Sequence, residues 1–340
     1  MKLLAVLLIC GLFPAALIAQ APIQGITAAP EVARAYDLVL DADFDGVAAA
    51  LQATCPPAPT VACMGLEALS LWWQIRIDPE NRALDATFLT TVNRAIAEAE
   101  RLTTAEPQRA EAWFYLGAAY GVRAQFRVHR TDRMAAARDG KRIKESLQRA
   151  LALDPSMHDA EFGIGMYRYY ADIAPAVFRF LRWLLLMPGG DREDGLRQLE
   201  RASTLGMLLR GEAQYQIHVL YLWYEKRWTE ALAIVKSLQE RYPHNPLFHQ
   251  IEAEVLDVYY HDAAASLEAS ERLLALAEKR QVHRPELADV VARLNMARQL
   301  IALKQPDRAI EILDALIALS PTAPADALTR ARDMRRFVNR

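Results

Sequence analysis

Residues 110–121 read AEAWFYLGAAYG, and residues 146–155 read SLQRALALDP. In the first stretch Trp113, Leu116, Gly117 and Tyr120 follow one another at three- and four-residue spacing, which places large, large, small and aromatic side chains on one helical face. In the second, Leu147 and Ala150 keep that spacing, and Pro155 then ends the run because it cannot continue a helical hydrogen-bond ladder. Two antiparallel helices cross closely only where a small residue lets the backbones meet. Gly117 and Ala150 supply that position, and Trp113 and Tyr120 fill the space beside it. The stretch predicts a helical hairpin.

The second half of this hairpin recurs. VNRAIAEAERLTTAEP gives Ala95, Ala99, Leu102 and Pro107, WTEALAIVKSLQERYPHNP gives Ala231, Val235, Leu238 and Pro243, and PDRAIEILDALIALSP gives Ala309, Leu313, Leu316 and Pro321. Strand signals are almost absent between these copies, whereas Ala, Leu, Arg and Glu in amphipathic spacing are everywhere. The four prolines are unevenly spaced, so several units carry insertions or looser copies. From about Ala29 to Asp333 the pattern resembles the tetratricopeptide-repeat superfamily. The resemblance implies an all-α superhelix of about seven helix pairs over residues 22–340, with long helical insertions near 121–141 and 171–190. It also implies a concave side lined by the first helix of each pair. Carrying that register onto this chain puts Phe114, Phe162, Tyr169, Tyr170, Gln216 and Trp223 on the concave side, with Tyr224 adjacent. The Lys/Asn clamp that some members use for C-terminal carboxylates is missing from these positions, so stacking and apolar contact are expected to dominate.

A second, local resemblance covers residues 162–206. The pair Gly163 and Gly165, then Pro175, an apolar helix, Gly190-Asp191-Arg192 and Gly195-Leu196 look like the central segment of a eukaryotic repeat family. That family includes a mitochondrial outer-membrane protein linked to inclusion-body clearance. Only the shape of the insertion carries over, because this chain reads as exported.

Export is read from the first 21 residues: a basic Lys2, an apolar run from Leu3 to Ile18, and small residues around Ala19-Gln20-Ala21. This is the order of a secretory signal peptide, and the run is short for a spanning helix of about 20 residues. Ile9 before Cys10 is too bulky for a lipoprotein signal. Past the leader, Cys55 and Cys63 flank a Pro-rich turn in CPPAPTVAC, which in an oxidising compartment reads as a structural disulfide. The expected location is periplasmic or secreted.

Composition narrows the chemistry. The 340 residues hold 40 Lys and Arg against 42 Asp and Glu, a net charge of −2 that gives no global attraction to nucleic acid. Hydrophobic residues make up 53%, too many for a disordered chain. The Gly163-Ile164-Gly165 pair lacks the third glycine and preceding strand of a dinucleotide loop, since Arg168 stands where that glycine would fall. Seven histidines show no metal-ligand spacing, and His218 falls at a helix-packing position. No Gly-x-Ser-x-Gly elbow and no phosphate loop occurs. No catalytic residue, metal or cofactor is therefore assigned.

Three further features stand out. Asp191, after Pro188-Gly189-Gly190, suits the N-cap of a following helix. From Arg123 to Arg149 nine Lys or Arg face three Asp or Glu, and Arg123, Arg127, Arg130, Arg133, Arg138, Lys141, Arg142 and Lys144 make a candidate basic patch for an anionic partner. Residues 174–187, APAVFRFLRWLLLM, read either as an interfacial amphipathic helix or as a helix packed in the solenoid's hollow. The sequence thus points to a binding scaffold for a protein, peptide or lipid-like partner, with two rival readings, membrane-surface contact and an enzyme whose site is assembled from distant residues, and with nucleic acid excluded as a partner.

Overall fold

A computed structural model describes residues 21–173, 189–319 and 323–338. Among these residues the chain forms fifteen helices and no strand, apart from one isolated bridge between Ile23 and Arg109. The leader and the 174–187 segment lie outside the described residues.

The helices alternate in antiparallel pairs. The first three pairs are α1 (Ala29–Leu40) with α2 (Phe44–Thr54), α3 (Thr60–Ile77) with α4 (Asp85–Ala105), and α5 (Ala110–His129) with α6 (Arg133–Leu153). Then come α7 (His158–Ile173) with α8 (Arg192–Leu205), and α9 (Arg210–Leu220) with α10 (Trp228–Arg241). The last pairs are α11 (Pro246–Val258) with α12 (Ala263–Glu278) and α13 (Pro285–Ala302) with α14 (Pro306–Ala318), and α15 (Ala325–Val338) covers the end. A π-helical turn, Tyr221–Glu225, extends α9.

The residues that define the repeat pattern are those that pack. Ala95, Ala99, Ala150, Ala231, Val235, Leu238, Ala309, Leu313 and Leu316 are all fully buried. Leu147 of α6 sits between two glycines: a Cβ on Gly117 would lie 2.5 Å from one of its methyls, and a Cβ on Gly163 2.4 Å from the other. Gly165 meets α8 instead, where its absent side chain leaves room for the Gly195 carbonyl at 2.7 Å. The Gly-x-Gly pair thus lets α7 approach a different neighbour through each glycine. Asp191 caps α8 by accepting from the Asp194 N–H at 2.9 Å. The fold is an all-α superhelix of the tetratricopeptide type.

The expected insertion near 121–141 is no separate element. It prolongs the pair itself, so that α5 and α6 run for 20 and 21 residues and meet in a short turn at Arg130–Asp132. The other expected insertion, 171–190, falls largely outside the described residues. Cys55, which caps the end of α2, is disulfide-bonded to Cys63 in α3.

The superhelix closes on itself. Asp37 of α1 accepts hydrogen bonds from the Tyr242 hydroxyl at 2.7 Å and from Arg241 at 2.9 Å. Asp41 meets His244 at 2.7 Å, and the Asn245 amide donates to the Leu40 carbonyl at 2.7 Å. Further along, Phe44 stacks edge-on to His283, and Asp78 pairs with Arg284. Gly211 allows this closure, since a Cβ there would strike Leu40 and the Tyr242 hydroxyl. One hydrophobic core consequently runs from Val32 to Val255, while the last repeats form two smaller clusters of their own.

Candidate binding cavity

Closure turns the concave side into a cavity of about 1390 Å³. Its wall comes mainly from the first helices α1, α3, α5, α7, α9 and α11, joined by the inner face of α6. Phe114, Phe162, Tyr170, Gln216, Trp223 and Tyr224 all line it. Phe114 and Gln216 are buried in the wall, whereas Trp223 is 66% exposed at the rim.

Tyr169 departs from the expectation. It is fully buried and does not line the cavity; its hydroxyl donates to Glu225 at 2.5 Å, and the Arg192 guanidinium lies 5.8 Å from its ring. Successive helical residues point about 100° apart, so Tyr170 faces the cavity while Tyr169 faces α8 and the π turn. Burial and the Glu225 carboxylate hold the Tyr169 hydroxyl well above its ordinary pKa.

The inner wall carries a polar knot. The Arg76 guanidinium lies over two rings, 4.0 Å from the Trp73 centroid and 3.8 Å from that of Tyr215, and pairs with the buried Glu212 at 3.3 Å. The Gln216 amide donates to Glu212 and to Gln125, both at 3.2 Å. Asp159 accepts the backbone N–H groups of Met207, Leu208 and Leu209, which fixes the turn between α8 and α9. Burial drives His218 down to about pKa 3, so it is a neutral packing residue as its sequence position suggested. Tyr36, buried beside Glu212, is pushed well above the usual tyrosine range. Trp72 Nε1, the Tyr115 hydroxyl, the second Glu212 oxygen and His218 Nδ1 are buried without a hydrogen-bond partner among the described residues.

The basic patch is partly paired. Arg123 and Arg127 converge on the buried Asp139 at 2.7 and 2.6 Å, and Arg130 pairs with Asp85 at 2.8 Å. Lys141 stands 3.8 Å from Glu145, and Lys144 lies over the Tyr167 ring. Arg133, Arg138 and Arg142 form no ion pair among the described residues. The linear count already included Asp139 and Glu145; the carboxylate it missed is Asp85, brought in from α4. Among the described residues no group of three potential metal ligands occurs, and no helix is long and apolar enough to cross a membrane.

Fold and cavity together define the class: a helical-repeat superhelix, an architecture whose curvature creates concave binding surfaces. No family model matches the chain, and no curated protein matches it. The chain is similar to solved structures of repeat proteins. One is the C-terminal part of a TPR repeat-containing protein from Cytophaga hutchinsonii, at 12% identity over 88% of this chain and 98% of that one, with a TM-score of 0.43. Another is the TPR2AB domain of yeast Sti1 in its pHSP90 complex, at 14% identity over 92% and 98%, with a TM-score of 0.31. Yeast Tom70 gives 11% identity over 83% and 65%, with a TM-score of 0.34. Such distant likenesses transfer no site, and the fold rests on the helix pairing described above.

Proposed function

We propose that this protein is a non-catalytic binding scaffold, exported to the cell envelope or beyond, that takes its partner into the closed concave cavity. The cavity carries this reading. It exceeds the roughly 300–1,000 Å³ of pockets that hold drug-sized molecules, and its wall is mostly aliphatic and aromatic. Arg76, Glu212, Gln216 and Gln125 of that wall are engaged with one another, and its unpartnered atoms, Trp72 Nε1, the Tyr115 hydroxyl, one Glu212 oxygen and His218 Nδ1, are not set out as a nucleophile hydrogen-bonded to its base. Export rests on the leader-like first 21 residues and agrees with the Cys55–Cys63 bridge. Attachment to a membrane through the basic segment is the weaker reading, because Arg123, Arg127 and Arg130 already have buried or half-buried carboxylate partners.

Gly65 and Gly121 offer a direct test. Both line the cavity, and a Cβ added at either meets nothing within 4 Å. The double variant Gly65→Trp/Gly121→Trp should obstruct the cavity without disturbing the helices. The tagged protein would be isolated from envelope fractions, and its bound material, peptide or lipid, compared with that of the wild type. Loss of that material at unchanged helicity supports the reading, and equal retention by the obstructed variant refutes it.

A further inference from the structure

We infer that the occupant of the cavity is the hydrocarbon portion of a lipid, taken up from a membrane surface through one edge of the superhelix. The inference rests on the reading of the cavity as the binding site and specifies what that site binds.

Hydrogen-bond accounting separates the candidate ligands. An extended peptide brings one N–H and one C=O per residue, and each needs a partner when it leaves water. The cavity wall is helical, so its backbone groups are already paired along the helices. Its buried side-chain donors are few: Arg76 is committed to Glu212, and the Gln216 amide to Gln125 and Glu212. That leaves the Trp72 Nε1–H and the Tyr115 hydroxyl unpartnered among the described residues, too few to answer the repeating groups of a backbone. A peptide chain would therefore lose its water contacts with little in return. A hydrocarbon chain has no such groups to satisfy, and its burial against Leu66, Leu69, Val122, Ile143 and Met166 is favourable in proportion to area.

A second observation gives the route of entry. The first helices run parallel, so the C-terminal ends of α5, α7, α9 and α11 share one edge. At that edge Val128, Met134, Trp223, Tyr224 and Val258 line the cavity and are also exposed, Val128 to 60% and Val258 to 56%. Elsewhere among the described residues exposed large apolar side chains are scattered, but here they ring the mouth of an apolar cavity. Exposed apolar residues gathered in this way mark an interaction surface. Trp223 and Tyr224 are the residue types that settle at the interface between headgroups and acyl chains. Arg133, unpaired among the described residues, stands at the same mouth to meet anionic headgroups.

The mature full-length chain would be titrated with a dansyl-labelled undecanoic acid and then incubated with phosphatidylethanolamine–phosphatidylglycerol vesicles carrying a pyrene-labelled phospholipid. The expected result is saturable dansyl enhancement that oleate displaces, and extraction of the pyrene lipid from the vesicles. Gly65→Trp/Gly121→Trp should weaken fatty-acid binding at least tenfold with helicity unchanged. Trp223→Ser, at an exposed position that costs the fold little, should slow extraction from vesicles several-fold, by more than it weakens binding of the free fatty acid. Absence of binding, or equal binding by the obstructed variant, overturns the inference. Envelope-derived peptide found in place of lipid, and lost from the obstructed variant, also overturns it while leaving the cavity itself as the binding site.

Discussion

The closest backbone contact between helices offers the sharpest test of the fold. At the α7–α8 crossing a Cβ on Gly165 would stand 2.7 Å from the Gly195 carbonyl oxygen, 3.0 Å from Leu199 Cγ and 3.2 Å from Gln198 Cβ. The nearest of these is backbone, so a methyl cannot be accommodated by turning a side chain; α8 as a whole must retreat. Overpacking of this kind costs about 1–3 kcal/mol, and a rigid obstacle belongs at the upper end. Replacing a helical glycine by alanine returns about 1 kcal/mol. Gly165→Ala should therefore destabilise by about 2 kcal/mol. Gly65→Ala, with nothing within 4 Å of its added methyl, should stabilise by about 1 kcal/mol, the same helix gain without the collision. Gly195→Ala should resemble Gly165→Ala, because its Cβ would meet the Tyr169 backbone nitrogen at 2.7 Å. Urea unfolding followed by far-ultraviolet circular dichroism gives the midpoints. If Gly165→Ala raises the midpoint as Gly65→Ala does, the helices do not touch there and the close crossing is wrong.

Arg76→Met should cost about 3–5 kcal/mol, because it leaves Glu212 buried beside apolar rings with no cation. Arg76→Met/Glu212→Leu should recover most of that loss in thermal melting, and a double variant as unstable as the single one would show that the rings, not the charge pair, set the effect. His218 gives a pH dependence. Its folded pKa of about 3 lies below an unfolded value near 6.5, so the unfolded chain takes up a proton that the fold refuses. The stabilisation is complete above pH 6.5 and is lost as pH falls towards 3, at up to about 1.4 kcal/mol per pH unit. Burial also lowers His129, His249 and His283, and these add to the slope in both proteins. His218→Gln should flatten the fall in stability between pH 6 and 4.5 by about one proton's worth, and an unchanged slope would mean that His218 is not sealed from water.

The helix pairs were legible in the sequence because each is built from local signals: a small residue at the crossing, apolar residues three and four apart, and a proline after the second helix. Ala150, Leu238 and Leu316 announce their burial by spacing alone, and Asp191 announces its cap. The cavity-lining residues followed from the same register, with Tyr169 lost to the neighbouring helix because one residue of rotation decides which side it faces. Closure was not legible. Asp37 finds Tyr242 and Asp78 finds Arg284 across some two hundred residues, and no periodicity couples such positions. The same holds for the charged segment: its surplus exists along the chain, but Arg123 and Arg127 are gathered onto the buried Asp139, and Arg130 meets Asp85 from α4, only once α4, α5 and α6 pack. Helix pairing depends on neighbours in sequence, which the sequence displays. The curvature that closes the superhelix accumulates from small rotations at every interface. Only the tertiary structure sums them, and that sum turned an open groove into a cavity with an apolar mouth.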